Sequence, residues 1–260
     1  MGASRSFPPS DHGPATLLVT GVSRLLRTLA HQDESEGALG RHGIMLASLI
    51  LLLGALPFGH FVSGAAGAPE FSVLLSLVLM SAVVVNSHQR WILLVALCFG
   101  LVAIGGLAWS ELSGSASSRI AGEGAALSLL GFTTLVMFNS LVQTEQISLD
   151  TVVGGVCVFL LTGLCFAMIY ILLLEFVPGA FVEDGEPLVR AAGESGAHAT
   201  TLLYFSFVTL TTLGYGDVAP RDDMARMFSV GEALIGQLYL VVFLARLVAL
   251  YLRQSRGFVR

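Results

Sequence analysis

The sequence predicts an all-α, polytopic membrane protein with six transmembrane helices and one shorter, re-entrant helix that is followed by a loop. Of the 260 residues, 55% are hydrophobic and 12% are charged, about half the charged fraction of ordinary soluble domains. Six apolar segments are candidates for membrane helices, of which the second, at 16 residues, is the shortest, and a seventh is too short to cross. The net charge of -5 provides no basic surface for nucleic acid.

The apolar segments divide the chain into four regions. A polar N-terminal tail covers residues 1–42, and a four-helix transmembrane bundle covers residues 43–150. A second membrane unit covers residues 151–252, and a short tail of residues 253–260 ends the chain. The six predicted transmembrane helices are 43–62, 71–86, 91–109, 125–142, 152–176 and 227–252.

The N-terminal tail contains one segment with helical periodicity. Between residues 16 and 30, leucines and a valine recur at helical spacing, and two arginines lie on the other side. This pattern fits an interfacial helix. It fits a frayed tail equally well, because an isolated helix of this length is marginal in water.

Six crossings place both termini on the same side of the membrane, and the arginines indicate which side. Eight of them fall on the side of the termini, four on the opposite side, and one inside the last segment. Because cytoplasmic loops carry an excess of basic residues, we expect both termini to be cytoplasmic in a multi-pass protein of the cell membrane. The loop before residue 227 is then extracellular, and its many acids either concentrate cations or are simply solvated.

The short apolar segment, residues 199–211, predicts a re-entrant pore helix. At about 1.5 Å per residue it is roughly 20 Å long, which falls short of the hydrocarbon core of about 30 Å. Its C-terminal end would point its negative dipole at the middle of the membrane, which favours a cation there. The backbone after it has to line a water-filled pore, because non-helical backbone at that depth cannot face lipid.

The segment that follows, residues 209–217, reads Thr-Leu-Thr-Thr-Leu-Gly-Tyr-Gly-Asp and predicts a filter loop. Gly214 and Gly216 permit backbone angles that turn successive carbonyl oxygens to one side. Thr212 would add its hydroxyl, while Leu213 and Tyr215 would turn their side chains away from the axis. A row of carbonyls of this kind replaces the hydration shell of a cation. The alternative is a plain glycine turn between two membrane helices.

Residues 212–217 resemble the potassium channel signature Thr-Val-Gly-Tyr-Gly-Asp, with Leu213 in place of Val. The resemblance is close over residues 152–252 and only architectural before them, where four helices precede the pore as in six-helix cation channels. It implies a passive, potassium-selective channel with no enzymatic step and no cofactor besides the permeant potassium ions. It also implies that the chain assembles as a homotetramer in membrane lipid, since each copy supplies a quarter of the filter. The implied potassium-binding residues are Thr212, Leu213, Gly214 and Tyr215, with Gly216 completing the filter.

The resemblance assigns further roles in the pore helix and in the inner helix, residues 227–252. Filter support is expected from Tyr204, which should reach Asp217, and from Glu232, an acid expected to be hydrogen-bonded or protonated behind the pore helix. Gly236 corresponds to a bending glycine, although close helix packing explains it equally well. The cavity residues would be Gln237, Leu240 and Leu244. For Arg246, snorkelling to the interface is favoured over a contact at a gate.

Two departures from the family pattern bear on function. Residues 125–142 contain no arginine, so the fourth helix lacks the ladder of a voltage sensor and channel opening is not expected to depend on voltage. Tyr204 and Phe205 occupy positions where related channels often have tryptophans, which predicts a looser support around the filter. Other functions remain open: a non-conducting scaffold or channel subunit, a weakly selective cation channel, and a secondary transporter. The transporter is disfavoured because no internal repeat or second broken helix is visible.

Overall fold

The computed structural model describes residues 42–55, 68–85, 90–113, 116–144, 149–189 and 198–257. Its first three helices are α1, His42–Ala55, α2, Ala68–Val85, and α3, Arg90–Ser113. Most of the N-terminal tail, including the candidate interfacial helix, lies outside the described residues. So do residues 56–62 of the first predicted transmembrane helix.

Four further helices and three short strands complete the described chain. Helix α4 is Ala116–Gln143 and α5 is Leu149–Phe176. Strands β1, Phe181–Glu183, and β2, Glu186–Pro187, precede α6, Ala199–Leu210. Strand β3, Val218–Pro220, leads into α7, Asp223–Gly257. The chain is therefore all-α, as predicted, apart from one small sheet.

Three of the described helices are long and apolar enough to cross a membrane. Their spans are Ser117–Gln143, Asp150–Phe176 and Asp223–Ala249. The apolar parts of α1, α2 and α3 that the structure describes are shorter, at His42–Ala55, Val73–Ala82 and Leu94–Gly106. Six crossings therefore remain a prediction.

The fourth helix begins earlier than the sequence predicts and carries charge. It starts nine residues before residue 125 and includes Arg119 and Glu123, both buried. Nη2 of Arg119 lies 2.8 Å from Oε1 of Glu175 on α5. The helix is therefore longer than the predicted span 125–142, because hydropathy alone excluded the turns around Arg119, whose charge is neutralised by a partner on the next helix. A single arginine in α4 does not form the repeated series of a voltage sensor.

The core lies along α5, which packs between α4, α6 and α7. Its buried residues include adjacent pairs such as Ala167 with Met168 and Tyr170 with Ile171, so the helix is buried on more than one face. Outside this core, α3 packs on α4, and α6 also packs on α7. The buried residues of α5 include Cys157, Leu161, Leu164, Ala167, Met168, Tyr170 and Ile171.

A three-stranded antiparallel sheet, in the order β2-β1-β3, lies beside the filter loop. Asp184 and Gly185 form the two-residue turn between β1 and β2, with φ of 49° and 87°. Asp-Gly between strand residues is a strong hairpin signal, so the sequence contained the information for this sheet. Its place next to the filter depends on the pairing of β1 with β3, which only the three-dimensional structure reveals.

Helices α5 and α7 approach closely at Gly155. A Cβ atom added there would overlap the ring of Phe243, and the Tyr239 hydroxyl donates to the Gly155 carbonyl at 2.7 Å. The rings of Phe159, Tyr239 and Phe243 stack in succession at this crossing. The absence of a side chain at Gly155 thus lets aromatic rings of the inner helix pack on the outer helix.

We expect Gly155→Ala to destabilise the packing of α5 on α7 by about 1–3 kcal/mol, the usual cost of inserting a methyl group into a filled site. Thermal unfolding of the purified protein in detergent measures this loss. Gly154→Ala is the matched control, because a Cβ atom at Gly154 meets nothing within 4 Å. Equal unfolding temperatures for the two variants would contradict the prediction.

Candidate ion-conduction site

The pore helix α6 has 12 residues, so it is about 18 Å long and reaches only part of the way across a membrane. It ends at Leu210 and is capped by Thr211, whose backbone N–H donates to the Phe207 carbonyl at 3.0 Å. The carbonyls of its last turn are therefore next to the start of the filter loop. This is the predicted arrangement of a re-entrant helix whose negative dipole end faces the filter.

The first amides of the filter loop point back at the pore helix. Leu213 N–H donates to the Val208 carbonyl at 2.9 Å, and Gly214 N–H reaches the same oxygen at 3.4 Å. Thr212 N–H donates to the Thr209 carbonyl at 2.9 Å. These amide groups are therefore hydrogen-bonded on the side of the loop that faces the pore helix, and the carbonyl groups of the loop can face the opposite side.

Backbone handedness alternates along the filter. Thr212, Gly214 and Gly216 have positive φ angles of 58°, 62° and 83°, whereas Leu213 and Tyr215 between them do not. Alternation of this kind turns successive carbonyl oxygens to the same side instead of to opposite sides as in a strand. The sequence signalled the two glycines but not Thr212, since a threonine rarely adopts a left-handed conformation.

The outer end of the filter is fixed by the pore helix and by the sheet. The Tyr204 hydroxyl donates to Oδ2 of Asp217 at 2.8 Å, which is the contact that the sequence predicted. The Tyr204 and Tyr215 rings stack with an interplanar angle of 4° and centroids 6.5 Å apart. Asp184 N–H donates to the Asp217 carbonyl at 3.0 Å. Asp217 is thus held by its side chain and by its backbone.

Phe205 packs differently from its neighbour Tyr204. It is buried and makes edge-to-face contacts with Tyr170 of α5 and Phe181 of β1, at centroid distances of 5.3 Å. Tyr170 and Phe181 also pack on each other at 5.2 Å. The three rings tie the pore helix to the outer helix and to the sheet, so Phe205 supports the filter from behind.

Glu232 lies behind the pore helix, where the sequence predicted it, and joins three helices. Its Oε2 accepts a hydrogen bond from the Tyr170 hydroxyl of α5 at 2.6 Å. Its Oε1 lies 2.5 Å from Oγ of Ser206 on α6. All three residues are fully buried. Sequence reasoning missed Tyr170 and Ser206, because neither forms a local pattern with Glu232.

The hydrogen bonds of this cluster favour a protonated Glu232. Oγ of Ser206 lies 2.7 Å from the Gly163 carbonyl as well as 2.5 Å from Glu232. A hydroxyl group has one proton, so Ser206 can donate to only one of these oxygens. Both contacts are satisfied when Ser206 donates to Gly163 and a neutral Glu232 donates to Ser206. The acid then has no charge to compensate inside the membrane.

Gly236 is buried where the inner helix α7 crosses the pore helix. A Cβ atom at this position would overlap the carbonyl oxygen and side chain of Leu210. Helix α7 continues through Gly236 to Gly257. Close packing therefore gives a sufficient reason for the glycine, and its role as a hinge remains a prediction.

The inner helix also contacts the inner end of the filter. Nε2 of Gln237 donates to Oγ1 of Thr212 at 3.2 Å. The predicted cavity residues Leu240 and Leu244 are exposed on α7. Gln237 therefore connects the inner helix with Thr212 at the start of the filter loop.

The arrangement supplies oxygen atoms for an ion but no cluster of conventional metal ligands. Among the residues that the structure describes, no group of three or more His, Cys, Asp or Glu side chains could hold a metal ion. The candidate ligands are the backbone carbonyls of residues 212–216 and the Thr212 hydroxyl. Such neutral oxygens suit a weakly hydrated monovalent cation.

Comparisons with known proteins agree with this geometry. A family model described as "Ion channel" matches residues 156–253. Protein LctB of Geobacillus stearothermophilus is 35% identical over 120 residues, which cover 46% of this chain and 87% of LctB. No solved structure matches the chain.

Two potassium channels match shorter parts of the chain. Two pore potassium channel c of rice, Oryza sativa subsp. japonica, is 34% identical over 73 residues, 28% of this chain and 14% of the rice protein. The human voltage-gated delayed rectifier potassium channel KCNH5 is 45% identical over 42 residues, 16% of this chain and 4% of the human protein. Both matches therefore concern a small fraction of the relative.

A re-entrant pore helix, a filter loop with carbonyls on one side and flanking apolar helices together define a membrane ion channel. The family match covers the outer helix, the pore helix, the filter and most of the inner helix. The chain belongs to the same family as Protein LctB, and its residues 156–253 match the ion channel family.

We expect Tyr204→Phe to make potassium flux more sensitive to external acid. The hydrogen bond from Tyr204 lowers the pKa of the Asp217 carboxyl, so its stabilising contact is present above the ordinary value of about 3.9. The contact is lost as the pH falls through the lowered pKa. Tyr204→Phe lacks this hydrogen bond, so Asp217 should become protonated, and potassium flux should fall, at a higher pH than in the native protein.

Liposome flux measured against external pH gives the two midpoints. Phenylalanine keeps the ring that stacks on Tyr215, so the comparison isolates the hydroxyl group. An identical midpoint for both proteins would show that the Tyr204 hydrogen bond does not maintain the conducting filter.

Proposed function

We propose that the protein is a potassium-selective channel that conducts passively through a homotetrameric pore and performs no chemical step. The observation that carries this proposal is the alternating handedness at Thr212, Gly214 and Gly216. With the amides bonded to the pore helix, four such strands would surround the axis with successive rings of carbonyl oxygens. The ions would bind at Thr212, Leu213, Gly214 and Tyr215, and Gly216 would complete the outer end.

Selectivity follows from replacing water by fixed oxygens. A potassium ion loses its hydration shell on entry, and the carbonyl rings compensate that loss when their number and spacing match the ion. The contacts at both ends of the filter, Gln237 with Thr212 and Tyr204 with Asp217, support the proposal because they hold the spacing. Glu232 contributes indirectly by fixing the pore helix.

Four copies of the chain are proposed because one copy provides only one wall of the pore. Residues 211–217 are all exposed in the single chain, yet backbone polar groups at membrane depth cannot face lipid. Apolar residues of α7 that lie outside the cavity between α4, α5 and α7 are also exposed, including Leu234 and Val241. Neighbouring copies would cover both surfaces.

The proposed channel is not gated by voltage, and its termini are cytoplasmic. One elementary charge moving through 100 mV contributes about 2.3 kcal/mol, so steep voltage dependence needs several mobile charges. Within the described part of α4, Arg119 is buried and paired with Glu175, which opposes its movement. The cytoplasmic location of the termini rests on the distribution of arginines along the sequence.

We expect Gly214→Ala to abolish or greatly reduce potassium selectivity. An added Cβ atom penalises the left-handed conformation at φ of 62° by about 1–2 kcal/mol and turns a carbonyl away from the axis. Reversal potentials in planar bilayers with opposing potassium and sodium gradients measure the change. Gly131→Ala is the control, because it lies in helix α4 with nothing within 4 Å of the added atom.

Native protein whose reversal potential follows sodium as closely as potassium would refute the selectivity. Absence of any current from correctly assembled native protein would instead favour the non-conducting scaffold or subunit. Both outcomes are separable from misfolding by checking the assembly mass first.

We expect the purified protein to have the mass of four chains. Native mass spectrometry in detergent measures this directly, and cross-linking in the membrane provides an independent count. Gly155→Ala should weaken packing within one copy without changing the number of copies. A monomer or dimer that conducts potassium would contradict the fourfold pore.

A further inference from the structure

An apolar cavity opens between α4, α5 and α7, away from the filter. Its volume is about 360 Å³, and its walls include Leu135 and Phe138 of α4, Val158 of α5, and Leu238 and Val242 of α7. An apolar cavity of about 150 Å³ holds a six-carbon ring. This cavity therefore has room for roughly a dozen carbon atoms, which is the scale of a segment of an acyl chain.

The polar side chains in the walls are already satisfied. Thr134 and Thr162 donate their hydroxyl protons to carbonyls one turn earlier in their own helices, at 2.7 and 2.8 Å. The Tyr239 hydroxyl is used by the Gly155 carbonyl. None of these three groups needs a polar ligand, so the interior of the cavity suits hydrocarbon.

Arg246 lines the end of the cavity near the C-terminus of α4. Its Nη2 donates to the carbonyls of Val142 and Thr144, each at 2.6 Å. These hydrogen bonds hold the guanidinium group in place but do not neutralise its charge, because both acceptors are uncharged carbonyls. Within the described ranges, no carboxylate forms an ion pair with Arg246. The guanidinium group of Arg246 is thus an anchored cation.

The depth of Arg246 matches that of a lipid headgroup. Its guanidinium group contacts the carbonyls of Val142 and Thr144, on either side of Gln143, where the apolar span of α4 ends. A cation at the edge of the hydrocarbon region lies at the level of lipid phosphates and is attracted to anionic lipids. The apolar cavity lies on the membrane side of this cation.

We propose that this cavity and Arg246 together form a binding site for one anionic phospholipid per chain. One acyl chain occupies the apolar cavity, and the phosphate group accepts hydrogen bonds from the Nε and Nη1 side of the guanidinium group. The lipid comes from the leaflet on the side of the termini. It bridges α4 and the inner helix α7 at the place where Arg246 already joins them.

Lipid binding is tested on the full-length protein by native mass spectrometry, with phosphatidylglycerol and phosphatidylcholine of identical acyl chains. A basic residue near the membrane surface contributes about 1 kcal/mol to attraction of anionic lipid, or about fivefold in affinity. We therefore expect phosphatidylglycerol to bind at least fivefold more tightly, at one molecule per chain. Equal affinity for the two lipids would overturn the proposal.

Two variants separate the headgroup contact from the acyl-chain contact. Arg246→Gln keeps an amide donor but removes the charge, and it should reduce phosphatidylglycerol affinity to that of phosphatidylcholine. Leu135→Trp fills the cavity and should weaken both lipids several-fold, whereas retention of full affinity would overturn the proposal. Arg221→Gln removes an exposed arginine beyond β3 and should leave the lipid preference unchanged.

Further outcomes exclude other occupants of the cavity. If inorganic phosphate alone displaces phosphatidylglycerol at comparable concentration, the site is an anion site without a lipid chain and the proposal fails. If the intact assembly binds neither lipid at one molecule per chain, a neighbouring copy fills the cavity and the proposal fails as well. The mass of each variant verifies assembly, and Leu135→Trp keeps the test decisive should Arg246→Gln fail to assemble.

Discussion

The filter depends on a division of its backbone groups between two sides. The amides of Leu213 and Gly214 are directed at the last turn of the pore helix, which leaves the carbonyls on the opposite side for ions. A carbonyl that was hydrogen-bonded within the chain could not replace water around a cation, and an unbonded amide buried in the wall would cost free energy. The surrounding structure positions the pore helix so that both conditions are met.

That positioning uses different chemistry on each side of the pore helix. Behind it, Glu232 links α5, α6 and α7 through short hydrogen bonds in a fully buried cluster. Losing one partner of such a cluster leaves a buried polar group unsatisfied, at a cost of about 1–3 kcal/mol. At the crossing with the inner helix, Gly236 lets backbone touch backbone. Polar bonds fix the direction of the pore helix, and close packing fixes its distance from α7.

Sequence reasoning recovered the parts of this site that are encoded locally. The short apolar segment predicted α6 to within one residue, and Tyr204 reaches Asp217 as expected. The left-handed Thr212 was not predictable from residue type, because its conformation is imposed by the pore helix and Gln237. The start of α4 was missed because the charge of Arg119 argues against a membrane helix, and its neutralising partner Glu175 is 56 residues away in the sequence. Partners that are distant in sequence leave no local pattern to read.

The pairing of β1 with β3 brings together the two ends of the chain segment that contains the pore helix and the filter. The Asp184 N–H donates to the Asp217 carbonyl, and the Ala180 carbonyl accepts hydrogen bonds from the amides of Arg221 and Asp222. The segment between β1 and β3 therefore forms a loop whose two ends are hydrogen-bonded to each other. The conformational entropy lost on closing a loop grows only with the logarithm of its length, about 0.6 kcal/mol for each doubling. Lengthening the connection between Val189 and His198 would therefore cost little free energy of folding, because the contacts between β1 and β3 hold the start and end of the loop together whatever its length.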